Sequence, residues 1–488
     1  MLPRSNSPPS GADPPHHSLP GKLTPSLNLH LHLPLCHRVL LVAAVLSVQL
    51  LLLLLFSDRS ISTTRLHPST NAGDHRNSRN TTCDLGTIYV YDLPPEFNSD
   101  LIAGCHHLNP WTSRCSALSN YGLGPSAADL AGIVPGPLLP SWFNTDQFSS
   151  EILFHRRLLS HPCRSPDPST ASALFIPFYA GLAVGQHLWS PNATSGDRDR
   201  LCAALLRWIS SQPSFLRSNG SDHFIVLGRI TWDFRRSKNE DWGGSFIYMP
   251  AMSNVTRLLI ERNPWDELDV GIPYPTGFHP RSATDLRSWQ KFVLSRRRRT
   301  TFGFAGAARV GMKNDFRGLL LRECAAAGGS ACKAVDCSHG RCANRSAEAV
   351  SLFLESKFCL QPRGDSFTRR SMFDCMIAGA IPVVFWKRSA YLQYELYLPP
   401  GEEEWSVFID RKEVRSGAVS VRDVLESIGE EKVSRMREKV VELIPRIVYG
   451  QDRLDEGVMD AVDVAVDGVL RRFRERRERT DMGIGGVR

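Results

Sequence analysis

The sequence predicts an α/β protein in which two parallel-sheet domains follow one membrane-spanning helix. Three observations carry this. Residues 39–56 form an unbroken apolar run; short β-branched and aromatic strands alternate with amphipathic helices from residue 87; and a polar, basic break at residues 289–300 is followed by a second series of strands.

The apolar run is eighteen residues whose only polar members are Ser47 and Gln49, which meets the length at which a helix crosses hydrocarbon. A cleaved signal peptide would have a shorter core, begin near residue 1 and end in small residues, whereas this run continues as Ser57, Asp58 and Arg59. Lys22, His37 and Arg38 precede it with no acid closer than Asp13, which keeps the N-terminal side cytoplasmic. Five glycosylation acceptors, Asn80, Asn192, Asn219, Asn254 and Asn344, all follow the span and place the body in a lumen. Eleven of the twelve cysteines follow it too, which suits an oxidising compartment. Cys324, Cys332, Cys337 and Cys342, with His339 between the last two, allow a zinc cluster, but their wide gaps and Gly/Ser-rich surroundings fit a disulfide-pinned loop better, and an odd count leaves at least one thiol free or paired elsewhere.

With 488 residues the chain is long enough for two cores. Its excess of 58 Lys+Arg over 50 Asp+Glu is too small to argue for a nucleic-acid partner. The organisation reads as a cytoplasmic tail (1–38), an anchor (39–56), a solvated stem (57–83), a first domain (84–295), a second domain (300–450), and a C-terminal helix with a charged tail (451–488). Strands are predicted at 87–92, 173–179 and 223–227, and helices at 146–159 and 199–211. Arg296 to Arg299 read as a solvated linker or helix end.

Residues 358–385, FCLQPRGDSFTRRSMFDCMIAGAIPVVF, parse as a strand, a loop with Pro362 and Gly364, a helix from Thr368 to Ala378, Gly379 as terminator, and a strand. That geometry receives an anion at the carboxyl edge of a parallel sheet, here a diphosphate. Arg363, Arg369 and Arg370 lie at the positive end of the helix dipole, so they need an anion, or a carboxylate such as Asp365, to compensate them. Asp374 is placed to accept from ribose hydroxyls; the bland alternative is an ordinary βαβ unit with Arg370 and Asp374 as a surface ion pair. A second stretch, 302–317, supplies Gly303, Gly306 and Gly311 with Arg309, Lys313 and Arg317, and reads equally as a structural turn. In the first domain Asp146, Glu151, His155 and Asp233 are the candidates for a general base, and each is equally a helix cap or salt-bridge partner by its position alone.

Together these segments resemble the exostosin-like glycosyltransferases, within them the plant xyloglucan galactosyltransferase group. The likeness runs over 84–450 and rests on IYVYDLPPEFN (88–98), NTDQFSSEILFH (144–155), FIPFYAGL (175–182), GRITWDFRR (228–236), IPYPTGFHP (272–280), FGFAGAAR (302–309) and residues 360–385. The resemblance implies a GT-B fold of two facing Rossmann-like domains. It also implies a Golgi membrane enzyme of single-pass type II topology that transfers galactose from UDP-galactose, with inversion and without a metal, onto xyloglucan. On that likeness Arg309 and Arg370 bind the diphosphate, Ser366 and Thr368 cap it, Asp374 holds the ribose, and Arg369 and Arg370 both stay open as the phosphate ligand. It implies a UDP-sugar donor, a polysaccharide acceptor and complexes with other Golgi glycosyltransferases as partners, and no nucleic acid. A manganese-dependent alternative would need an Asp-x-Asp triplet; Asp197-Arg198-Asp199 follows a glycosylation acceptor and reads as a helix start. Another wall polymer such as galactoglucomannan, another UDP-sugar, and a non-catalytic polysaccharide-binding subunit stay open as alternatives.

Overall fold

The computed structural model describes residues 83–481 apart from 239, 310, 313, 339–341, 343–345 and 456. The predicted tail and anchor, the stem up to residue 82, the acceptors Asn80 and Asn344, and Lys313 lie outside the described residues. Among the described residues no helix is long and apolar enough to cross a membrane. The described residues all fall in one compact unit.

Two five-stranded sheets, each wholly parallel, organise that unit. The first runs β1 (Ile88–Val90), β2 (Ala173–Ile176), β3 (His223–Ile230), β4 (Thr256–Glu261) and β5 (Asp269–Gly271), in sequence order across the sheet. The second contains β6 (Thr300–Gly306), β7 (Cys332–Asp336), β8 (Ser356–Gln361), β9 (Ile381–Val384) and β10 (Val407–Phe408), in the order β10-β9-β8-β6-β7. β2, β4 and β9 are buried along their whole length, as expected of parallel strands covered on both faces.

Helices cover both sheets. In the first half these are α1 (Ser150–Leu159), α2 (Ala180–Leu188) and α3 (Ser195–Ser210); α4 (Ala283–Ser295) leads into the second. The second carries α5 (Phe316–Ala327), α6 (Ser346–Glu355), α7 (Ser371–Ile377) and α8 (Glu430–Ile447), and α9 (Ala461–Asp481) closes the chain. α1 starts four residues later than its periodicity predicts, because Asp146 folds into a turn and accepts from the Phe148 amide at 2.9 Å. α3 starts four residues earlier: Thr194 and Asp197 close a reciprocal capping box, and Asp199 accepts from the Ser245 amide at 2.7 Å. Both acids of the Asp-x-Asp triplet are therefore engaged in holding the fold.

The break between the halves differs from the predicted solvated linker. Arg297 and Arg299 are exposed, but Arg298 turns inward and donates to the Ala378 carbonyl at 2.6 Å. This satisfies a carbonyl at the end of α7, where a cation is favoured. The C-terminal charged run continues the last helix, with Arg471, Glu475, Arg477, Glu478 and Arg479 exposed. α9 buries Val462, Val466, Val469 and Phe473, and Arg476 and Arg477 donate to the carbonyls of Ser221 and Ser172 at 2.7 and 3.0 Å. Those carbonyls immediately precede β3 and β2, so the last helix docks on the amino ends of the first sheet.

Five disulfides join Cys83 to Cys163, Cys105 to Cys115, Cys324 to Cys332, Cys337 to Cys342 and Cys359 to Cys375, and Cys202 is a buried thiol. The four cysteines considered for zinc thus pair with one another. Asn192 and Asn219 are exposed, whereas the half-buried Asn254 donates its side-chain amide to the Asn219 carbonyl at 3.1 Å.

Candidate active site

In the second sheet β7 lies on one side of β6 while β8, β9 and β10 lie on the other. At such a reversal the loops leaving neighbouring strands diverge and open a crevice at the carboxyl ends. Both basic stretches of the sequence leave from this point, one after β6 and one after β8.

The two loops are tied by arginines around a single carboxylate. Gly306 ends β6 against the Phe304 ring, and Arg309, three residues on, donates to the Gly364 carbonyl and to Asp365 Oδ1 at 2.8 Å. Arg317, in the first turn of α5, donates to the Arg363 carbonyl at 3.2 Å and reaches the same Asp365 oxygen at 3.3 Å. Arg369 comes back beneath the loop, with Nη2 2.7 Å from the Ala305 carbonyl and Nη1 buried without a protein partner. Arg363 lies over the rings of Phe367 and Trp386, at 5.5 and 5.6 Å. Gly364 is required by close approach: a Cβ there would sit 2.2 Å from the Thr368 carbonyl.

Electrostatics follow from this crowding. Burial and the neighbouring Arg317 lower the Arg369 guanidinium to about 9, and burial and Arg309 lower Arg317. The exposed Asp365 loses some hydration, yet Arg317 and Arg309 hold it below the usual carboxylate range. With Arg370, four guanidiniums face Asp365, Asp315 and Asp374, so the cluster keeps a positive excess, which suits an anion.

The next residues correct the sequence expectation. Thr368 does not cap the helix, which begins at Ser371. Its amide and hydroxyl donate instead to Glu261 Oε2 at 2.7 and 2.6 Å, and Ser366 donates to Glu261 Oε1. The two hydroxyls expected to cap a diphosphate are therefore held by a carboxylate at the carboxyl end of β4, in the other half. Trp232 donates to Glu261 at 3.0 Å, and Tyr274 meets Thr368 at 2.9 Å. Burial lifts Glu261 above the ordinary carboxylate range against these donors.

Arg370 and Asp374 do form the ion pair of the bland alternative, at 3.3 Å. The pair is not a surface one: both are largely shielded, burial raises Asp374, and Arg370 Nη1 also donates to the Thr145 carbonyl. Arg370 thus reaches the first half just ahead of α1.

Three of the four base candidates gather there. Asp146 pairs with Arg114 at 2.6 Å. Glu151 accepts from the amides of Gly181 and Gly228 at 2.6 and 2.9 Å, and burial pushes its carboxyl up to about 8. Asp233 accepts from Arg229 at 2.6 Å and Trp242 at 3.0 Å, and Arg229 lies 4.3 Å over Phe148. His155 is not with them: it hydrogen-bonds Tyr179 at 2.8 Å, and burial lowers it to about 4, so it is neutral.

Sequence reasoning missed Glu261, Tyr274, Thr145 and Arg388, whose guanidinium lies 3.5 Å from the Phe367 centroid. Glu261 carried a usable signal, an acid closing the apolar run of residues 258–260, where parallel strands present their functional ends.

Two parallel-sheet halves thus meet at a cluster of arginines, joined by Glu261 to Thr368 and by Arg370 to the Thr145 carbonyl. The exostosin GT47 domain matches residues 82–425, and the chain belongs to this glycosyltransferase family. It is 58% identical over 397 residues to the xyloglucan galactosyltransferase XLT2 of Arabidopsis thaliana, covering 81% of this chain and 76% of that one. It is 38% identical over 400 residues to the xyloglucan galactosyltransferase MUR3 (81% and 64% covered) and 39% identical over 393 residues to xyloglucan-specific galacturonosyltransferase 1 (80% and 58% covered), both of Arabidopsis thaliana. Among solved structures, a GtfA/B complex overlays with a TM-score of 0.29 at 8% identity, over 57% of this chain and 60% of that one, a distant likeness.

Proposed function

We propose that this glycosyltransferase moves galactose from UDP-galactose onto the side chains of xyloglucan, with inversion, through a GT-B arrangement anchored in the Golgi membrane by residues 39–56. The observation that carries the reading is the trio Arg309, Arg317 and Arg369 around Asp365 at the reversal of the second sheet. The relatives' names supply the sugar and the polymer.

An acceptor hydroxyl attacks C1 from the face opposite the diphosphate, the bond from C1 to the phosphate oxygen breaks, and UDP leaves with the electron pair. Negative charge builds on that oxygen, and fixed guanidiniums stabilise it without a metal. The hydroxyl proton passes to a carboxylate near the start of α1, for which Asp146 just ahead of the helix and Asp233 in the turn after β3 are the groups to test, with Glu151, pushed up to about 8, a base only in its ionised fraction. The five acceptor asparagines carry glycans on this reading, and other Golgi glycosyltransferases are its partners.

The test incubates the full-length protein with UDP-galactose and galactose-free xyloglucan oligosaccharides, with and without a chelator. Galactosylated product that survives chelation is expected. A strict manganese requirement, or transfer only from UDP-galacturonic acid, overturns the proposal; the second outcome matches the galacturonosyltransferase relative.

A further inference from the structure

We propose that Trp111, Trp189 and Trp242 form an aromatic ladder that seats the sugar rings of an extended, uncharged polysaccharide acceptor as it leads to Asp233. The inference deepens the reading above and rests on it.

The rings follow one another with centroids 5.7 Å apart and planes tilted by 46° from Trp111 to Trp189, and 5.0 Å apart edge-to-face at 72° from Trp189 to Trp242, so successive faces turn along the strip. Trp111 is 52% exposed, and the other two are half-buried. The inner end is fixed to the reaction region: Trp242 donates to Asp233 at 3.0 Å, while the adjacent Trp232 donates to Glu261, which grips the donor loop. The ladder is therefore continuous with the groups that hold the loop after β8.

The outer end is built rather than left loose. Trp111 sits in a loop closed by the Cys105–Cys115 disulfide; Asn109 accepts from the amides of Trp111 and Thr112 at 2.9 and 3.2 Å, and Arg114 pairs with Asp146 at 2.6 Å. A half-exposed tryptophan gives up burial that would stabilise the fold, and fixing it by a disulfide, a turn and an ion pair lowers the entropy lost when a ligand settles on it. The chemistry of the ladder selects the ligand. Aromatic faces pack against the C–H faces of pyranose rings, and the 95% exposed Asp241, beside Trp242, pairs with Arg198 at 3.0 Å through one oxygen and turns a carboxylate edge to solvent where hydroxyls can donate. The cations beside it, Arg198, Arg229 and Arg236, are each paired with a carboxylate, Asp241, Asp233 and Asp199, so these pairs leave no net charge to draw a charged polymer.

The test uses the full-length protein and its Trp111→Ala, Trp189→Ala and Trp111→Phe variants, with xyloglucan oligosaccharides of increasing backbone length. Trp111→Ala and Trp189→Ala are expected to raise the acceptor KM roughly tenfold, more for longer acceptors, as truncation of an anchoring aromatic does. UDP affinity and the slow hydrolysis of UDP-galactose stay unchanged, and Trp111→Phe recovers most of the loss. Unaltered acceptor KM in both alanine variants, with transfer intact, overturns the ladder and leaves the proposed function standing. If the wild type does not transfer to xyloglucan, the proposed function fails. The ladder is then judged by tryptophan fluorescence with glucan and mannan oligosaccharides, and binding that does not depend on Trp111 overturns it.

Discussion

Thr368 donates both its amide and its hydroxyl to one oxygen of Glu261, at 2.7 and 2.6 Å, and this places the loop after β8 in the grip of β4 of the other sheet. Removing the carboxylate leaves the buried Thr368 amide unpartnered, at a cost of about 1–3 kcal/mol, while the hydroxyl keeps Tyr274 at 2.9 Å. Glu261→Ala is therefore expected to lower the unfolding midpoint and weaken UDP binding together. Glu261→Gln, which keeps an acceptor oxygen, loses less of both. Calorimetry and UDP titration on the same preparations check this, and unchanged UDP affinity in Glu261→Ala overturns the coupling.

Arg317 and Arg369 crowd each other without a full complement of anions, so binding a diphosphate relieves repulsion as well as adding hydrogen bonds. Arg317→Ala or Arg369→Ala is expected to cost about 1.5–3 kcal/mol of UDP affinity, tenfold or more. Asp365→Asn, which removes the internal counter-charge, is expected to tighten UDP binding. Isothermal titration separates the three, and weaker binding by Asp365→Asn counts against its role as a stand-in for the ligand.

Glu151 gives stability a specific pH dependence. Its native carboxyl titrates near 8, above the ordinary 4.5, because burial disfavours the charge. A raised native value stabilises the fold fully below the ordinary value, and the gain is lost as pH rises through the native one. The buried His155, His161 and His279, each lowered to about 4, act oppositely and lose stability as pH falls below 6.5. The difference between wild type and Glu151→Gln isolates the glutamate: the wild type loses stability relative to the variant between about pH 5 and pH 9. A difference that stays flat across that window overturns the assignment.

The Cys359–Cys375 bridge fastens β8 to α7 on either side of the arginine loop, across a separation of 16 residues. Closing a loop of that size restricts the unfolded chain by about 3 kcal/mol. The double variant Cys359→Ala/Cys375→Ala is expected to melt earlier by that amount and to bind UDP less tightly. Thermal unfolding with and without UDP measures both effects.

Much of the second half was legible along the chain. The run from β8 through α7 to β9 appeared in its order, with Gly379 ending the helix at φ +66. Its boundaries moved where a distant partner outbid the local signal. Thr368 has the residue type of a cap, but Glu261, 107 positions away, supplies an acceptor that sequence spacing does not reveal. The base candidates show the same limit: Glu151 and His155 lie four apart on α1, yet one contacts the Gly181 and Gly228 amides and the other Tyr179.

From its own letters the chain determined the alternation of strands and helices, the basic loops and the family likeness, because these depend on periodicity and on residues adjacent in sequence. Only tertiary structure decided which charges meet. The reversal of the second sheet brings the loops after β6 and β8 together around Asp365, and β4 delivers Glu261 to Thr368. Such pairings are set by the packing of strands far apart in sequence, and no local pattern encodes them.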